Sequence, residues 1–153
     1  MAKSENIFKT KVVVEWVEDL TFKLDFQNPS LPKFFIDETH DVESPEAIGP
    51  DPSKLLISAV MGCLNASFGF CLKKSRIPLK GMKAIGELTS KRNDEGYWRV
   101  LQIDVELVPE IEKGAERFEK CVEIFHDYCT ITQSVRQGIP VNVTIKRDKV
   151  KTS

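Results

Sequence analysis

Leu20, Phe22, Leu24 and Phe26 alternate with Thr21, Lys23 and Asp25. A period of two places every second side chain on one face, so the spacing predicts a half-buried strand. Val12 to Val17 supplies a strand before it, and Lys33 to Ile36 a third, after Asn28, Pro29 and Pro32 interrupt the pairing. Residues 37–52 lose all periodicity, are acidic, and carry Pro45, Pro50 and Pro52. They read as a long loop, a candidate lid, that ends at a helix start, with Pro52 near the first turn.

From Ser53 to Lys74 the pattern changes completely. Leu56, Ala59, Val60, Cys63, Leu64, Ser67, Phe70 and Cys71 form one broad stripe, and the other faces are scarcely more polar. A helix of this kind is expected to be buried on most sides. Its small residues (Ser58, Ala59, Gly62, Ala66, Ser67, Gly69) would admit a close neighbour, and its two glycines leave packing to hold it.

Met82–Arg92 and Tyr97–Val108 then read as the arms of a hairpin turning at Asn93–Gly96, with Ile103, Val105 and Leu107 inward and Pro109 as terminator. Glu112–Tyr128 is a second helix by the spacing of Ala115, Phe118, Val122, Phe125 and Cys129. Thr130–Gln137 is a shorter helix stopped by Gly138, and Val141–Arg147 a last strand. This order makes an α+β domain with mainly antiparallel strands. Its 153 residues suit one domain, 1–153, with 1–9 and 149–153 as flexible ends.

Charge narrows the function. With 22 basic and 23 acidic side chains the net charge is -1, and the basic clusters at Lys73, Lys74 and Arg76 and at Lys146, Arg147, Lys149 and Lys151 are short. That is not the footprint of a nucleic-acid binder, whose affinity comes from neutralising phosphates. The N-terminus lacks the apolar core of a signal peptide, and no stretch is read as approaching the roughly 20 apolar residues needed to cross a bilayer, so no membrane span is expected. The expected location is cytoplasmic. There the four cysteines, Cys63, Cys71, Cys121 and Cys129, would be kept reduced, which favours functional thiols over standing disulfides.

A thiol acts as a nucleophile only as thiolate, which needs a cation, hydrogen-bond donors or a helix N-terminus beside it. Cys129, just before a new helix, is placed for such help, whereas Cys63 sits in the middle of its own helix. The commoner reading of any buried cysteine is a small apolar core residue, and Cys71 and Cys121 are read as structural. His126 lies three residues before Cys129 and could share its helix face, but a surface histidine is the plainer reading. The two histidines, His40 and His126, and the cysteines fall at no metal-ligand spacing.

Two segments together carry a resemblance. Gly49-Pro50-Asp51-Pro52-Ser53-Lys54-Leu55-Leu56, leading through Ala59-Val60-Met61-Gly62-Cys63, resembles the loop and cysteine-bearing central helix of the OsmC/Ohr family. Cys129 through Val141 (CTITQSVRQGIPV) is similar to that family's second cysteine motif, in the right order and at a similar separation. The resemblance covers about residues 10–148 and implies an OsmC-like fold, an intertwined homodimer with sheets wrapped around long buried helices. It also implies a thiol peroxidase of organic hydroperoxides serving oxidative-stress defence. Cys63 would attack the peroxide, Cys129 would resolve the sulfenic acid as a disulfide, and an external dithiol would reduce it, with no bound cofactor or metal.

The chain departs from the family at two places. Ser53 stands where the family has an active-site glutamate, and no arginine precedes Arg76, where the family supplies one to its thiolate. Lys23, Lys33 or Arg136 could replace that cation, with Asp51 or Glu46 as anchor. Without one the Cys63 pKa would stay near the free value of about 8.5 or above it. A non-catalytic, small-molecule-binding OsmC-like dimer is the alternative reading.

Overall fold

The computed structural model describes residues 6–41, 43–112 and 117–146. They form two compact units, one of Met1–Ala59 with Gly86–Val105 and one of Val60–Ile85 with Glu106–Ser153.

In the first unit β1 (Val13–Glu18), β2 (Thr21–Asp25) and β3 (Phe34–Asp37) make an antiparallel sheet in that order. Trp16 pairs with Phe22 and Val13 with Asp25, and a bulge follows Trp16 where the chain turns back through Asp19 in the left-handed region. Leu24 is the buried member of the alternating run, and Phe26 packs on Phe34 at 5.4 Å between ring centroids.

The loop after β3 is organised by a buried carboxylate. Asp37 Oδ1 accepts the Thr39 N–H at 2.9 Å, and Oδ2 accepts from His40 Nδ1 at 2.9 Å and from the Ile48 N–H at 3.1 Å. The His40 hydrogen bond, with the Ile48 N–H, outweighs burial and pulls the Asp37 carboxyl down from 3.8 to about 2. The same bond raises His40, against its own desolvation.

The signs give a pH window. The depressed carboxyl adds stability above about pH 3.8 that is lost as pH falls towards 2. The raised imidazole adds stability below about pH 6.5 that is lost as pH rises through its folded value. Denaturant unfolding from pH 2 to 8 is expected to show both slopes in the wild type and shallower ones in Asp37→Asn, where Asp25 still titrates low and Glu46 and Asp19 still face His40; equal slopes would dismiss the pair as a stability determinant.

Gly49 closes this loop. A Cβ there would collide with the Phe35 carbonyl on β3, so only glycine lets the two backbones approach. Two residues later Asp51 caps the long helix α1 (Pro52–Lys74): its Oδ1 accepts the N–H groups of Ser53 at 2.7 Å and Lys54 at 3.1 Å. An aspartate cap followed by proline at the first helical position is a favoured helix start.

In the second unit α1 contributes Val60, Leu64, Phe68 and Leu72, one residue per turn, as its buried stripe. Leu72, fully buried, and Phe68 join Ile77 and Cys121 in the core, with Met82, Leu107, Phe118 and Phe125 against them. The helix ends where Arg76 turns left-handed and the Ile77 N–H reaches back to the Leu72 carbonyl at 2.9 Å. The hairpin β4 (Gly81–Arg92) and β5 (Trp98–Glu110) follows. Its turn is held by Asn93 Oδ1, which accepts the N–H groups of Glu95 and Tyr97, and by Gly96 at φ 85°. Next come α2 (Phe118–Ile124), a 3-10 turn (Phe125–Tyr128) and α3 (Thr130–Gln137), whose end at Gly138 has φ 75°.

Several expectations are corrected. Phe70, assigned to the buried stripe of α1, is 58% exposed, while Phe68 is buried, so within this chain the helix is covered along one stripe and not on most sides. Pro109 does not end β5, which runs to Glu110: among the described residues β5 pairs only with β4, so a residue without an N–H fits on its other side. The helix expected over 112–128 is shorter. Residues 113–116, with Ala115, lie outside the described residues, and after Ile124 the chain tightens into the 3-10 turn.

Residues 141–146 form no strand, because no strand among the described residues offers them a ladder; Arg147 and the basic tail after it lie outside the described residues. Finally, α1 is long and apolar enough to cross a membrane by length and composition. Ser58, Asn65 and Ser67 break the run of apolar residues, yet no charge occurs between Lys54 and Lys73, and the mean stays apolar. Its supply of Phe68 and Leu72 to the core is the behaviour of a core helix.

Candidate active site: two thiols at a helix start

Cys63 sits in the middle of α1, half-buried, and Cys129 is the N-cap residue of α3, wholly buried. Sixty-six residues apart in the chain, they are brought close enough for each to perturb the ionisation of the other. Both are free thiols.

Two hydroxyls and a helix end complete the site. Cys129 Sγ donates to Thr132 Oγ1 at 2.9 Å, and Ser67, one turn after Cys63 on α1, is a second hydroxyl that favours the Cys129 thiolate. When Cys129 is ionised either hydroxyl can rotate and donate to the thiolate. The 3-10 turn is fixed to α3 by the His126 carbonyl, which accepts the Cys129 N–H at 3.1 Å and Gln133 Nε2 at 3.0 Å.

The electrostatics divide the pair. Burial pushes the Cys63 thiol up, its hydrogen bond to Cys129 pushes the same way, and the N–H groups of Ile131 and Thr132 pull it back only in part. Burial also opposes ionisation of Cys129, but hydrogen bonds from Cys63, Thr132 and Ser67 overcome it and leave that thiol below its ordinary value. The two titrate together, sharing a first negative charge that rests preferentially on Cys129.

The sequence expectation placed Cys63 beyond the reach of any helix N-terminus; the structure corrects this, because the first turn of α3 faces it from another part of the chain. The proposed Cys–His pair is not what joins His126 to Cys129: the contact is through the backbone, and the imidazole lies on Phe125 at 4.7 Å between centroids. Each residue suggested for the missing cation or its anchor has local surroundings of its own, Lys23 on β2. Lys33 pairs with Asp25 at 3.2 Å, Arg136 is exposed in the last turn of α3, Asp51 caps α1, and Glu46 lies 3.6 Å from His40. Ser53 is exposed in the first turn of α1.

The residues that sequence reading missed are Ser67, Thr132 and the N–H groups of Ile131 and Thr132. Ser67 was readable as the residue one turn beyond Cys63; the others follow only from α3 pointing its start at α1. Cys71 and Cys121, read separately as structural, are also brought together, with Ser75 Oγ 3.3 Å from Cys121 Sγ. Among the described residues no cluster of histidine, cysteine and acidic side chains is arranged to hold a metal ion.

Residues 44–144 match the family model described as OsmC-like protein. Among solved structures, an OsmC-like protein of Vibrio cholerae superimposes with a TM-score of 0.69 at 16% identity, covering 84% of this chain and 94% of that one. An OsmC-like protein of Mycoplasma pneumoniae gives 0.68 at 15%, covering 91% of each chain. An organic hydroperoxide resistance protein of Elizabethkingia anophelis gives 0.63 at 14%, covering 86% and 91%. No curated protein matches the chain by sequence. The family match spans both cysteines and the elements between them, the structural matches share the fold over most of the chain, and the chain belongs to the OsmC-like family.

Proposed function

We propose that this protein is a cysteine-based peroxidase that reduces organic hydroperoxides at the expense of an external dithiol. The observation that carries the reading is the convergence of the Cys63 and Cys129 thiols at the start of α3. Cys63 is the partly accessible sulfur and so the one that meets the substrate. As thiolate it attacks the terminal peroxide oxygen; the O–O bond breaks, the alkoxide takes a proton and leaves as alcohol, and Cys63 becomes a sulfenic acid. Cys129 then attacks the Cys63 sulfur, water leaves, and a disulfide remains, which two exchanges with the dithiol reduce. The hydroperoxide resistance named for the Elizabethkingia anophelis relative supports this substrate class.

The same reading makes the protein a cytoplasmic homodimer that uses no bound cofactor, nucleic acid or membrane. The uncharged stretch between Lys54 and Lys73, with Phe70 exposed on it, and the exposed Val141, Val143 and Ile145 support a second copy as partner.

A second reading, an OsmC-like small-molecule binder without peroxidase chemistry, draws on the upward push on the Cys63 thiol. Consumption of an organic hydroperoxide by the purified protein with a dithiol, with disulfide mapping by mass spectrometry, separates the two. Turnover with a Cys63–Cys129 bridge is expected; no turnover and no bridge would leave the binder.

A further inference from the structure

We propose that Cys71 and Cys121 are a second, separate redox dithiol, which closes to a disulfide between α1 and α2 when a small disulfide oxidises it. Although 50 residues separate them, Cys71 packs against the core cluster that holds Cys121, Ser75 one turn further along α1 reaches Cys121 Sγ, and both thiols are free. Cys71 lies eight residues after Cys63 on α1, and Cys121 eight residues before Cys129, so two facing pairs occur at matched spacing. Eight helical residues rise about 12 Å, far beyond the reach of direct exchange between sulfurs, so each pair reacts on its own.

The second pair also repeats the hydroxyl of the first: Ser75, one turn after Cys71, stands 3.3 Å from Cys121 Sγ as Ser67 stands by Cys129. Its surroundings differ. Cys121 is 1% exposed among Phe68, Leu72 and Ile77, while Cys71 is half-buried, so oxidation enters at Cys71. Burial, with the hydrogen bond to Cys121, pushes the Cys71 thiol up to about 11. Only about one thiol in ten thousand is then ionised at pH 7, which makes this pair slow and sets it to the prevailing balance of thiols and disulfides.

The chemistry balances with the small disulfide as oxidant. Cys71 gives its proton to water and its thiolate attacks one sulfur of the disulfide; that S–S bond breaks and the first thiolate leaves. Cys121 loses its proton in turn and attacks Cys71 Sγ, the second thiolate leaves, and the two leaving groups take up two protons. The protein dithiol is oxidised by two electrons and the small disulfide is reduced to two thiols.

The inference does not depend on the peroxidase reading and is tested apart from it. The reduced full chain and a Cys63→Ser/Cys129→Ser variant are incubated with oxidised glutathione at pH 7, 8 and 9. Differential alkylation, peptide mapping and thermal unfolding follow. The expected result is a Cys71–Cys121 linked peptide in both proteins, formed about tenfold faster per pH unit, because the ionised fraction grows tenfold. A Tm about 10 °C higher, reversed by dithiothreitol, is expected from closing so long a loop. Mapping in the wild type keeps the test valid if the double variant fails to fold. Thiols at 71 and 121 that alkylate only after denaturation, glutathione left on Cys71 without a bridge, or a bridge to another cysteine would each overturn the proposal.

Discussion

Cys63→Ser is expected to abolish hydroperoxide turnover, and Cys129→Ser to stop turnover as well while making the first oxidation of Cys63 faster at pH 7, because the Cys129 side chain pushes the Cys63 thiol up. A cysteine that only resolves a sulfenic acid would leave that first step unchanged. Here Cys129 does more, because it opposes ionisation of the neighbouring Cys63, and the serine of the variant would carry no competing charge. The measurement is single-turnover oxidation of Cys63, trapped with a sulfenic-acid reagent, from pH 6 to 10. The advantage of Cys129→Ser should close as pH rises and Cys63 ionises in both proteins. A slower first oxidation at every pH would mean lost geometry, and no difference would confine Cys129 to resolution.

Leu72→Ala is expected to cost about 3 kcal/mol and to lower the Tm by roughly 6 to 12 °C. Leu72 is fully buried and packs with Phe68, Ile77 and Cys121, none of which can move without disturbing the others. The control is Phe70→Ala, two residues earlier and largely exposed in this chain. Denaturant unfolding at two protein concentrations distinguishes them: Leu72→Ala lowers stability at both, whereas a Phe70→Ala loss that grows on dilution would place Phe70 in an interface. A Leu72→Ala protein as stable as wild type would refute this account of the core.

Local signals were the most legible. Asn93 to Gly96 turns as its composition indicates, α3 spans Thr130–Gln137 up to Gly138 as expected, and Pro52 opens α1. Each of these is decided by backbone chemistry within a few residues. What failed depends on neighbours that a linear pattern does not name. Apolar spacing on α1 could not say which stripe faces the core, because nearly every face is apolar and only the position of Phe118 and Phe125 selects Phe68. Alternation at 141–146 describes a strand's side chains but not its partner. The two cysteines of the candidate site were legible as candidates, while the shared proton, the hydroxyls and the start of α3 arise from tertiary contact.

The same C-terminal segment has a consequence for handling the protein. Val141, Val143 and Ile145 are each at least 80% exposed and alternate with Asn142, Thr144 and Lys146, a β-prone run whose backbone lacks a ladder. Such a stretch recruits identical stretches from other molecules, and the lysine and arginine that follow it act as gatekeepers by charge repulsion. Concentrated salt screens that repulsion. Turbidity in high salt, suppressed by Val143→Lys, would therefore reveal a self-association that neutral, dilute buffer conceals.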